Sequence, residues 1–93
     1  MQAGAVRRVA QALNGGKARG RTARVAKLMG TSIATVRSWG ADGGSEGRKR
    51  QMSPTARRLL FLLLALHEQG HDLDEWRRVA RRLEQSYLQR DDD

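Results

Sequence analysis

Residues 22–41 read TARVAKLMGTSIATVRSWGA. Val25 and Met29 stand one helical turn apart, and Val36 and Trp39 share a face in the same way. Between the pairs, Gly30 sits where the chain must reverse, a place that favours positive φ. Thr22 and Ser32 carry the short hydroxyls that cap helix N-termini. The spacing predicts a helix from Thr22 to about Met29, a tight turn, and a second helix from Ser32 to about Trp39. The four apolar side chains can then face one another, and Ala26 is small where the helices cross.

Working outward, Ala5, Val6, Val9, Ala10 and Leu13 recur at helical spacing. They predict a helix over 3–13, stopped by Asn14-Gly15-Gly16. The KARGR that follows reads as a flexible basic connection. After Trp39 comes GADGGSEGRKRQM, whose glycines and charges read as a mobile loop. Ser53-Pro54 is a strong helix start, predicting a helix to about Gln69 that ends at Gly70. Asp72 with Glu75 three residues later resembles a capping box, so a last helix runs to about Gln89. Asp91, Asp92 and Asp93 oppose the macrodipole there and are expected to fray. No stretch alternates with period two and no segment repeats. The expected fold is all-α, with four to five helices around a central helix-turn-helix. Residues 1–70 are read as the helix-turn-helix domain, and residues 71–93 as a C-terminal dimerisation element.

Of the eighteen Lys and Arg, thirteen lie in residues 1–66, against Asp42 and Glu46 alone, a net of +11. Residues 67–93 hold five Arg and eight acids, a net of −3, and the two sum to the overall +8. A basic body with an acidic end points to a polyanionic partner. The chain has no Cys, which excludes disulfides and thiolate metal sites. His67 and His71 fall short of a zinc ligand set, so neither metal nor cofactor is expected. No Ser-His-Asp set and no phosphate-cradling Gly motif followed by Lys-Ser/Thr is present, so an enzyme is not expected. The four aromatic residues supply no base-stacking platform for RNA. The longest apolar run, Leu59–Leu66, is far short of a membrane span. A cytoplasmic, nucleoid-associated protein with no membrane contact is expected.

The segment resembles the helix-turn-helix of the lambda-repressor-like (Cro/repressor type) family of bacterial and phage regulators. The likeness rests on Ala26, on Gly30, and on apolar Val25, Met29, Val36 and Trp39 at the family's fixed places. It extends through Ser53-Pro54 and Ala56-Arg57-Arg58-Leu59-Leu60, which resemble the opening of the family's fourth helix, and covers roughly residues 5–66. The chain departs from the pattern in having Thr22 where many members carry Gln, and a long glycine-rich loop after Trp39. The resemblance implies double-stranded DNA as partner and a helix over 32–39 lying in the major groove.

Side chains turned away from Val36 and Trp39 are the expected base readers: Ile33, Ala34, Arg37 and Ser38. Arg37 suits guanine, and Ile33 and Ala34 suit thymine methyl groups, with core packing the alternative for Ile33 and a phosphate contact for Arg37. Ser32, Thr35 and Thr22 are expected phosphate donors. Arg19, Arg21, Arg24, Arg48, Lys49 and Arg50 are candidates for positioning on the backbone. Leu59, Leu60, Phe61, Leu62, Leu63, Leu64 and Leu66 make the fourth helix apolar on every side, more than one small subunit can hide. The last helix adds Trp76, Val79, Ala80, Leu83 and Tyr87. A homodimer through these two helices, bound to an inverted repeat, is therefore expected, the alternative being a last helix that closes over its own domain. The functional expectation is a dimeric repressor or autoregulator of phage, plasmid or mobile-element type. The alternative is an architectural, replication or recombination accessory protein.

Overall fold

The computed structural model describes residues 3–40 and 52–89, and Arg48, Lys49 and Arg50, with the rest of residues 41–51, and Asp91–Asp93 lie outside them. The protein is all-helical. Five helices follow in order: α1 (Ala3–Leu13), α2 (Arg21–Met29), α3 (Ile33–Ser38), α4 (Pro54–Glu68) and α5 (Leu73–Leu88).

Three helices start where local side chains satisfy their first amides. Ser32 Oγ accepts from the Thr35 amide, and Ser53 Oγ from the Ala56 amide, each at 3.0 Å. Pro54 occupies the first turn of α4, where an amide hydrogen has no helical partner. Asp72 accepts from the amides of Asp74 and Glu75. The capping box is only half formed, because the Glu75 carboxylate pairs with Arg78 at 3.0 Å. An i,i+3 guanidinium beside it wins over the reach back to the Asp72 amide.

Helix α2 departs from its expected start. It begins at Arg21, after Gly20 at φ 86°, with no side-chain cap. Thr22 lies inside the first turn and is buried. The KARGR connection is also held in place. Asn14 Nδ2 donates to the carbonyls of Lys17 and Arg19 at 2.9 and 2.8 Å, and Gln11 Nε2 to that of Gly16 at 2.9 Å. Those bonds set the entry into α2, so a capping hydroxyl is not needed. At the other end Gly30, at φ 74°, closes the helix, with its amide and that of Thr31 both reaching the Ala26 carbonyl.

One core holds the helices together: Val6, Val9, Ala10 and Leu13 of α1, Val25 and Ala26 of α2, Val36 and Trp39, Met52, Leu60 of α4 and Leu73 of α5. Helix α1 packs on α2 and α4, α2 packs on α3, and α5 touches α2 and α4. Leu60 is wholly buried, while Phe61 and Leu62 on the same helix are exposed. The chain thus leaves one side of α4 open, where the apolar pattern had implied burial all round. Among the described residues no helix is long and apolar enough to cross a membrane.

Candidate nucleic-acid interface

Helix α3 is six residues long and amphipathic. Its inner side is fixed by Val36, fully buried, with Trp39 following at the C-cap. The outer side presents Ile33, Ala34 and Arg37 to solvent. Ile33 is 44% exposed, so it does not pack in the core of this chain. Burying Val36 and Trp39 is what aims these three side chains outward, because the helical repeat leaves them no other direction.

The small polar side chains of α3 are occupied locally. Ser32 Oγ donates to Thr35 Oγ1 at 2.9 Å while capping the helix. Ser38 is half-buried, and its hydroxyl donates to the Thr35 carbonyl one turn back. Ser32 and Thr35 remain near the outer rim. Ser38 is turned toward its own backbone, which removes it from the outward row.

Where α2 starts beside α3, the chain forms an open concavity of about 520 Å³ lined by Ala18, Arg19, Gly20, Arg21, Thr22, Ala23, Ile33 and Arg37. Three arginines and the amide end of α2 meet there, an arrangement suited to anionic oxygen. Thr22, 9% exposed, contributes at the wall and not as a projecting donor. The sequence reading passes over Ala18 and Ala23, whose small side chains keep this concavity open. Their signal is small size between arginines on the outward side.

Arg24 belongs elsewhere. Its Nη1 donates to Asp74 Oδ1 at 2.7 Å and its Nε to the Leu13 carbonyl at 3.4 Å, so it ties α2 to α5 and to the end of α1. Arg24, an expected positioning residue, is held in this internal tie and lies apart from the concavity. The hydrogen bond from Arg24 holds the Asp74 carboxyl below its ordinary value. Partial burial opposes this, and the charges of Arg24, Lys27 and Arg77 add to it. A carboxyl whose pKa is depressed on folding stabilises the fold above its unfolded value and loses that contribution as pH falls through the folded value. Wild type is therefore expected to lose stability on acidification below the ordinary Asp range more steeply than Asp74→Asn. Thermal melts across that range check this, and parallel curves would show that the pair does not couple to folding.

His71 sits edge-on to Trp76, ring centroids 5.5 Å apart, and no group of three or more potential metal ligands exists among the described residues. Comparison with protein-family models, with curated proteins and with solved structures finds no match for this chain.

Proposed function

We propose that the protein is a sequence-specific double-stranded DNA-binding regulator that reads the major groove with α3 and acts as a dimeric repressor or autoregulator. The observation that carries this reading is the outward row Ile33, Ala34 and Arg37 on a short helix, flanked by the arginine-lined concavity at the start of α2. A helix of this width enters the major groove, where base edges differ. The arginines beside it meet the phosphates and set register. The resemblance of residues 22–41 to the lambda-repressor-like motif supports the same docking. The +11 of residues 1–66 supplies the long-range attraction. Dimerisation through α4 and α5 would place two copies of α3 on successive turns of an inverted repeat, about 34 Å apart.

Selection from random duplex DNA followed by footprinting tests the proposal. A recovered inverted repeat, protected on one face, is the expected result, and no enrichment over random sequence would end it. On the selected site, Arg37→Ala is expected to cost about 1–3 kcal/mol while leaving binding to random DNA nearly unchanged. Arg48→Ala with Lys49→Ala is expected to weaken all DNA alike. Gel-shift titrations on both DNAs separate the two, and the opposite pattern would exchange reading and positioning roles.

A further inference from the structure

Beyond Leu73, no apolar residue of α5 joins the core or packs against it. Leu83 and Tyr87 are 49% and 69% exposed, and Trp76 stands on the same side of the helix. Beside this row lies an apolar cleft of about 260 Å³ lined by Leu59, Leu63 and Leu66 of α4, Leu73, Trp76 and Ala80 of α5, and Leu28 of α2. The chain therefore presents both an uncovered ridge and an uncovered groove, side by side.

We infer that the occupant of this groove is α5 of a second copy, running antiparallel, so that each copy's Leu83 and Tyr87 enter the other's cleft. The inference rests on the dimeric part of the reading above and not on DNA binding. Two observations select this occupant. The row and the cleft are both apolar and both belong to this chain, so a two-fold axis covers both at once. The Arg77 guanidinium, at the cleft, and the Glu84 carboxylate, next to Leu83, make no ion pair among the described residues. An antiparallel pairing that sets Tyr87 against the second copy's Trp76 brings Glu84 to within a turn of the second copy's Arg77. A cation and an anion without ion-pair partners in their own chain then meet, which favours antiparallel over parallel association.

Because the chain contains no Cys, disulfide trapping reads the register directly. Trp76 and Tyr87 are eleven residues apart, about 16 Å along a helix. A disulfide needs Cα atoms within about 7 Å. A mixture of Trp76→Cys and Tyr87→Cys proteins should form the mixed disulfide on mild oxidation, and Tyr87→Cys alone should not cross-link to itself. Self-linking of Tyr87→Cys without the mixed product would overturn the antiparallel register. A wild-type dimer that traps neither would place the interface elsewhere and overturn the groove assignment. Leu83→Glu gives a second reading. Its side chain is half-exposed in the subunit, so the helical circular dichroism should be kept while the dimer constant weakens by about a hundredfold. A Leu83→Glu protein that is folded and still dimeric refutes the inference. A dimer trapped as expected that binds no DNA would overturn the previous proposal and leave this one standing.

Discussion

On the proposed reading, affinity for the selected site is expected to fall by at least about a hundredfold between about 50 and 200 mM monovalent salt. Arg19 and Arg21 line the concavity of each copy, so a dimer would bring four guanidinium groups to phosphates while Arg37 reads bases. Each phosphate neutralised releases most of one condensed counterion, and four such contacts give a log–log slope near −4, which the loop cations would steepen. Titration at several salt concentrations, with the slope read from the line, measures the number directly. A flat line would mean that the concavity does not face DNA. Arg19→Ala should make the slope shallower by nearly two, since symmetry removes the contact twice.

Leu60→Ala is expected to destabilise the fold by about 3 kcal/mol, lowering the melting midpoint by roughly 15 °C. Leu60 is wholly buried where α4 meets the rest of the core, and truncation leaves a void that a small domain closes only in part. With total stability of about 5–15 kcal/mol for domains in general, that loss is a large fraction. Its neighbour Leu62 is exposed, and Leu62→Ala should shift the midpoint little when measured below the dimerisation concentration. Equal costs at the two positions would contradict the orientation of α4.

The helix boundaries set by neighbouring residues were legible in the sequence. Ser32, Ser53 and Asp72 bond to amides two or three residues on, and a reader needs no tertiary knowledge to place them. The start of α2 was not legible in the same way. Asn14, several residues before it, anchors the loop that delivers Gly20, and a capping hydroxyl at Thr22 then has no task. Arg24 was illegible for a stronger reason. Its partner Asp74 is fifty residues away, and only the folded chain brings an arginine of the helix-turn-helix to an aspartate of the last helix. On α3 the helical repeat alone separated the outward row from the core, because burying Val36 and Trp39 leaves Ile33, Ala34 and Arg37 one direction. Ser38 fell outside the row through a local bond to the Thr35 carbonyl, which spacing does not report. The open side of α4 shows the limit of composition: an apolar run states that something must cover it, without stating which chain does.

The brevity of α3 bears on how much information a binding site can hold. Six residues extend about 9 Å, the length of about three base pairs. Three specified pairs recur by chance about once in 64 positions, and two half-sites together about once in 4,000, against ~10⁶ competing positions in a genome. On the proposed reading, one subunit would address almost any stretch of DNA, and pairing of subunits multiplies the selectivity without lengthening the helix. The remaining discrimination then has to come from the duplex itself, through the energy needed to bend or narrow the spacer that no side chain touches. Sequence changes in that spacer should therefore alter affinity as much as changes beneath α3.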